Sequence, residues 1–123
     1  MWTNSVCGHP GPGEAIVAAI RRRCQFELGI GDVREIDILL PDYRYKTPAF
    51  NGIIENEICP VYIATVIQEP KLNPEEVSEY KWINWDEVLE DVISRQERYT
   101  YWFKDQIPKV KNLKTLRLRI NSP

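Results

Sequence analysis

The chain has 123 residues, 43% of them hydrophobic and 28% charged, which fits one compact domain and excludes a collagen-like, fibrous or disordered chain. Sixteen basic side chains stand against eighteen acidic ones, for a net charge of −2, so a nucleic-acid binder working through overall positive charge is disfavoured. No apolar run approaches the roughly 18 residues of a membrane span and no basic-then-apolar leader is seen, so a cytoplasmic protein with neither nucleic acid nor membrane as partner is expected.

Gly8, Pro10, Gly11, Pro12 and Gly13 read as a tight loop that regular structure cannot enter. From Glu14 to Leu28, Ile16, Val17, Ile20, Cys24 and Leu28 recur at helical spacing, and Gly29 is a natural stop. On that helix Glu27 lies about 20° and Arg23 about 60° from Ile20, so both charges fall on or beside the buried stripe. Ile36, Ile38 and Leu40 alternate as a strand that ends near Pro41, which Tyr43 to Lys46 extends. In Gly52 to Pro60, Ile54, Asn56 and Ile58 share one face of a strand and Glu55, Glu57 and Cys59 the other. Val61, Ile63 and Val66 carry apolar extended structure onward. Lys71 to Glu76 reads as a polar loop and Ser78 to Trp85 as a short strand, with Asp86 as N-cap of a helix bearing Val88, Leu89, Val92 and Ile93. Tyr99 to Ile107 reads as an aromatic helix ending before Pro108, and the basic residues from Lys109 to Arg119 as a solvated tail with some order. Neither an internal repeat nor a linker divides the chain.

Several residues carry chemistry in this pattern. Glu55 and Glu57, at i and i+2 of an apolar strand, are two like charges that ionise together only beside a cation or proton; they form either a divalent metal or acid/base site or a solvent-facing edge. His9 is the only histidine and lies in the Gly/Pro loop, as an exposed side chain or a ligand. Cys7, Cys24 and Cys59 lack a C-x-x-C pair and read as thiols; Cys7, in the loop, is either a small buried hydrophobe or a nucleophile and proton donor. Glu27 on a buried stripe demands a cation, which Arg23 supplies as a structural pair, or else Glu27 holds a metal and Arg23 a phosphate. Trp102 belongs to the core or offers its face to a cationic intermediate.

Residues Gly8 to Ile30 resemble the 23-residue Nudix frame G-x5-E-x7-R-E-U-x-E-E-x-G-U, where U is apolar, through Gly8, Glu14, Arg22, Cys24, Glu27, Gly29 and Ile30. Arg23 and Phe26 stand where the frame has acids, which argues against pyrophosphate hydrolysis. The stretches from Trp2 to Pro10, Arg22 to Cys24, Glu27 to Gly29, Pro41 to Tyr45, Glu55 to Val61 and Glu75 to Trp82 closely resemble type I isopentenyl-diphosphate isomerases, a branch of the Nudix superfamily.

That resemblance implies an α+β fold, a Nudix-like α/β/α sandwich with a mixed sheet, as a single domain over residues 1–123 with the tail 108–123 less secured. It implies an enzyme of isoprenoid biosynthesis that moves the double bond of isopentenyl diphosphate to give dimethylallyl diphosphate. Cys7 and Glu57 would be the acid/base pair on opposite faces of the isoprenoid carbons, and Tyr45 would assist Glu57. His9, Glu55 and Glu57 would belong to a site for Mn²⁺ or Zn²⁺ built in the family from three histidines and two glutamates. Glu27 would hold Mg²⁺ with the diphosphate, Arg23 would contact that diphosphate, and Trp102 would stack over the tertiary cation.

The resemblance begins at Trp2, and family members carry before this motif the first strands and two of the metal-binding histidines. Those N-terminal strands are expected to be missing, the three-histidine site incomplete, and transition-metal binding weak. Two other readings stay open: a degenerate, non-catalytic Nudix-like binding module, and a Nudix hydrolase acting on another diphosphate.

Overall fold

The computed structural model describes residues 2–6, 10–46 and 56–120, with residues 45, 46, 56–58 and 120 described by their backbone. Among the described residues four α-helices and four strands follow in the order α1 (Ile16–Leu28), β1 (Arg34–Leu40), β2 (Arg44–Lys46), β3 (Asn56–Ile58), β4 (Val61–Thr65), α2 (Trp85–Ser94), α3 (Tyr101–Val110) and α4 (Lys114–Ile120), with a short 3₁₀ turn at Gln96–Arg98, an α+β arrangement.

Helix α1 ends where sequence predicts. Gly29 takes the left-handed conformation, φ 64°, that a side chain resists, and its N–H closes on the Gln25 carbonyl at 3.1 Å. The last carbonyls of α1 find partners in the 71–73 loop, which donates from Lys71 N to Leu28 O at 2.7 Å and from Asn73 N to Glu27 O at 3.0 Å. Burial follows the predicted stripe in the C-terminal half, where Cys24, Glu27 and Leu28 are buried, and Ala19, outside that stripe, is buried in the N-terminal half. Ile16 and Val17 depart from it, at 39% and 43% exposure, because the core partners gather against Ile20 to Leu28 rather than the first turn.

The pairing among the described residues is antiparallel, in two separate two-stranded ladders, β1 with β4 and β2 with β3. The one parallel pairing described is an isolated bridge between Trp2 and Tyr99. β1 carries irregularities between Arg34 and Asp37 and between Ile38 and Leu40, and Glu35 takes φ 51° at the first of them. The expected extension from Tyr43 is instead a separate strand, Arg44–Lys46, with Tyr43 just outside it, since the chain turns at Pro41 and Asp42.

Four expectations past residue 77 need correction, the last of them the basic tail. The strand expected over Ser78 to Trp85 does not form among the described residues: Trp85 opens α2, and Tyr80 and Trp82 are fixed instead by Glu69, which accepts from Tyr80 Oη at 2.9 Å and Trp82 Nε1 at 3.3 Å. The N-cap of α2 is Asn84, two residues before the predicted Asp86, and its side chain accepts from the Asp86 amide at 3.0 Å. Helix α3 runs through Pro108 to Val110, because the proline removes one donor while Ile107 and Val110 on either side stay buried.

The basic tail is an ordered helix. Leu116 of α4 is buried, and Arg119 donates to the Glu35 carbonyl and to Thr65 Oγ1, with Asp37 Oδ2 at 3.4 Å, so the helix grips both strands of the first ladder.

Two cores result. Cys24, Leu28, Ile30 and Val33 form one, with Val6, Ile20, Ile36, Val66, Leu72 and Val77 against it. Val88, Val92, Tyr99 and Ile107 form the other, with Trp2, Phe103 and neighbours of α2 against it. The N-terminal segment thus touches both, through Val6 and Trp2.

Candidate active site

Helix α1 supplies the first part of the site. Arg23 Nε lies 2.8 Å from Glu27 Oε2, one turn apart, and Arg23 Nη2 lies 3.8 Å from Glu76 Oε2 in the loop that caps the helix. Burial pushes the Glu27 carboxyl above its ordinary range, Arg23 opposes this, and the Glu76 charge adds to it. Among the described residues neither Arg23 Nε nor Glu27 Oε2 has an aligned hydrogen-bond partner, so the two are held by charge and keep bonding capacity. Beside them burial, and then the Glu27 charge, push the Cys24 thiol up, which marks it as a packing residue.

The glycine-rich loop is pinned to the same helix. Glu14 accepts from Arg22 Nε and Nη2 at 2.8 and 3.0 Å and from the Gly11 amide at 2.8 Å. The Arg22 hydrogen bond and then the Gly11 amide draw the Glu14 pKa down to about 2.

The second part lies on the β2–β3 ladder and α3. The register sets Tyr45 directly across from Glu57, between the pairs Arg44 with Ile58 and Lys46 with Asn56. Cys59 N extends this pairing to the Tyr43 carbonyl at 2.8 Å. Tyr43, 5% exposed, donates from its hydroxyl to Asp105 Oδ2 at 2.8 Å and comes within 3.5 Å of the Trp102 carbonyl. Lys109 holds the other Asp105 oxygen at 2.8 Å. Burial raises the Asp105 pKa, but the bonds from Lys109 and Tyr43 outweigh it and leave that pKa below its usual value. Burial, then the same Asp105 bond, pushes the Tyr43 hydroxyl well up.

Trp102, half-buried at the start of α3, donates from Nε1 to Thr3 Oγ1 at 2.9 Å, and Asn4 Nδ2 reaches the buried Gln106 Oε1 at 2.7 Å. Trp102 therefore faces the N-terminal segment that leads to residues 7–9 rather than lying wholly inside the core.

Of the residues singled out from sequence, Arg23 and Glu27 are in contact, Tyr45 and Glu57 are opposite in register, and Trp102 is tied through Tyr43 to the strand that carries Tyr45. Cys7, His9 and Glu55 lie outside the described residues. Among the described residues no group of three or more His, Cys, Asp or Glu stands close enough to hold a metal ion. Glu76, Tyr43, Asp105 and Thr3 complete these groupings and were not singled out. Only the Tyr43-x-Tyr45 spacing hinted at one of them, since residues two apart on a strand share a face.

A helix closed by glycine and a loop clamped to it through Glu14 and Arg22 give this α+β domain the most ordered part of its site. The chain belongs to the Nudix family: the NUDIX domain pattern matches residues 1–103. It is 42% identical over 102 residues to an isopentenyl-diphosphate Delta-isomerase of Klebsiella pneumoniae (strain 342), covering 83% of this chain and 55% of that protein. It is 44% identical over 102 residues to the enzyme of that name from Citrobacter koseri, covering 83% of this chain and 56% of that protein. It is 40% identical over 119 residues to the one from Paenarthrobacter aurescens (strain TC1), covering 97% and 64%. The chain thus spans between about half and two thirds of the length of the relatives it matches. No described helix is long and apolar enough to cross a membrane.

Proposed function

We propose that the chain carries the isomerase chemistry of these relatives, converting isopentenyl diphosphate to dimethylallyl diphosphate in the cytoplasm. The observation that carries this reading is the register of Tyr45 opposite Glu57, on a ladder joined through Tyr43 to α3 at Trp102. A hydrolase needs an activated water and no aromatic wall, whereas an isomerase needs a proton donor, a proton acceptor and a face that stabilises a cation without trapping it.

In this reading Cys7 and Glu57 exchange protons with the two carbons from opposite faces, and Tyr45 holds Glu57 by a hydrogen bond. Protonation of one alkene carbon leaves positive charge on its tertiary neighbour, which the Trp102 face stabilises; loss of a proton from the adjoining carbon then places the new double bond. Arg23 binds diphosphate oxygens. Glu27 suits a hard cation such as Mg²⁺, since its buried Oε2 keeps acceptor capacity, and His9, Glu55 and Glu57 would hold Mn²⁺ or Zn²⁺. Bound cations would neutralise diphosphate charge and tune the proton affinity of Glu57.

Product analysis tests the proposal. Incubation with isopentenyl diphosphate and Mg²⁺ is expected to yield dimethylallyl diphosphate, and Cys7→Ala or Glu57→Gln to abolish it with the fold intact; release of phosphate or pyrophosphate alone would reject it. Trp102→Phe should keep part of the turnover and Trp102→Ala lose more, since cation–π support of about 1–2 kcal/mol weakens with the smaller ring and vanishes with none. Equal rates in the two variants would assign Trp102 to packing.

A further inference from the structure

Thr3 spends its whole hydrogen-bonding capacity around Trp102. Its Oγ1 accepts from Trp102 Nε1 at 2.9 Å and from Thr100 Oγ1 at 3.0 Å, and donates toward Asn4 Oδ1 at 3.5 Å. One donor and two acceptor sites are all a hydroxyl has. Thr100 stands at the N-cap of α3, where a threonine hydroxyl ordinarily accepts from a first-turn amide. No such side-chain cap forms; that hydroxyl is turned to Thr3 instead. The backbone fixes the arrangement, with Trp2 N donating to Arg98 O at 2.6 Å and Thr100 N to Trp2 O at 3.0 Å.

We infer that Thr3 is a positioning residue for the isomerisation, acting through Trp102. Thr3 grips the indole by its N–H edge, so the direction of the ring face is set by the segment that also leads to Cys7. Accepting the N–H bond polarises the indole and leaves more electron density on the ring that meets the cation. The inference rests on Trp102 lining the isoprenoid pocket as proposed above. Thr3 is itself exposed, so water can enter when the hydroxyl is lost, and the decisive readout is the state of the indole rather than overall stability.

The test compares Thr3→Val, which keeps the branched shape, with Thr3→Ser, which keeps the oxygen. In the ¹⁵N-labelled chain the indole resonance of Trp102, assigned by its loss in Trp102→Phe, should be preserved in Thr3→Ser and displaced in Thr3→Val, with solvent exchange about fivefold faster or more. In turnover Thr3→Val should lower kcat about tenfold with KM within about twofold, Thr3→Ser should restore it, and Thr3→Val should add less than about twofold in a Trp102→Phe background. An undisplaced resonance in Thr3→Val, or equal losses in both backgrounds, would overturn the inference. Absence of any isomerisation by the parent chain would instead refute the proposed function, while the indole resonance still decides whether Thr3 holds Trp102.

Discussion

Gly29→Ala adds one carbon atom at the most crowded glycine described. The residue has φ 64°, and a Cβ there would meet the Lys71 carbonyl oxygen at 2.6 Å and Lys71 Cβ at 3.0 Å. The oxygen is backbone, so it moves only if the 71–73 loop moves. Two costs follow: left-handed strain of about 1–2 kcal/mol, and loss of the Lys71 N to Leu28 O bond, about 1 kcal/mol, as the loop retreats. The sum of about 2–3 kcal/mol corresponds to a fall in Tm of about 6–15 °C for a chain of this length. Gly13→Ala separates the two costs. Gly13 has φ 74°, and among the described residues nothing lies within 4 Å of its added Cβ, so it carries the strain alone. Both substitutions restrict the unfolded chain alike, and that contribution cancels in their difference. Gly29→Ala should therefore melt about 3–6 °C below Gly13→Ala, and hydrogen exchange should quicken at the Lys71 and Asn73 amides in the former alone. Equal melting temperatures, with those two amides unaffected, would show that the loop does not press on the helix end as described.

Tyr43→Phe should cost about 1.5 kcal/mol at neutral pH, the low end for a bond to a charged group because Lys109 still holds Asp105. The native Asp105 pKa lies below its ordinary 3.8, so this stability is complete above 3.8 and is lost as the pH falls through the native value; a thermal-melt deficit that does not shrink on acidification through that range would contradict the assignment. Glu27→Gln should abolish a pH dependence of opposite sign: the native carboxyl titrates above 4.5, so the parent loses stability relative to the variant as pH rises from there through the native value, which parallel urea titrations can read. Arg119→Met should free the left-handed Glu35 irregularity and cost about 2 kcal/mol, seen as faster hydrogen exchange along β1 and β4; unchanged exchange there would mean that α4 merely rests on the ladder.

How far the molecule was readable from its residues depended on where each signal came from. The α1 boundary and the burial of Glu27 followed from spacing and one glycine, because both are fixed within a turn or two of helix. The α2 cap was misplaced by two residues, since Asn84 and Asp86 are equally good capping types and only tertiary packing of Trp85 chooses between them. Ser78 to Ile83 has strand-like residues but finds its order in Glu69, a partner that local pattern does not reveal. The basic tail looked solvated because its charge was counted without Arg119 having a destination, and that destination lies 82 and 84 residues away on β1. At the site, Arg23 with Glu27 was legible as an i, i+4 pair, whereas Glu76, Asp105 and Thr3 join it through contacts that no spacing encodes.

The N-terminal segment shows why those unencoded contacts matter. Val6 packs on the core around Cys24 of α1, and Trp2 packs on the core around Tyr99 before α3. Between them Thr3 and Asn4 hydrogen-bond Trp102 and Gln106, so a five-residue stretch is held from both halves of the chain. Lys81 adds a third restraint, its ammonium 4.5 Å from the Trp2 ring centroid. In the proposed reaction the loop with Cys7 has to be placed to a fraction of an ångström, and glycine and proline by themselves do not place it. Glu14 and Arg22 clamp that loop on its far side, from Gly11 onward. The described residues on the two sides of this loop, 2–6 and 10–14, are thus each fixed, one side against α3 and the other against α1. In the proposed reaction Thr3 and Glu14 would then help to position the groups that exchange protons, although neither of them reacts.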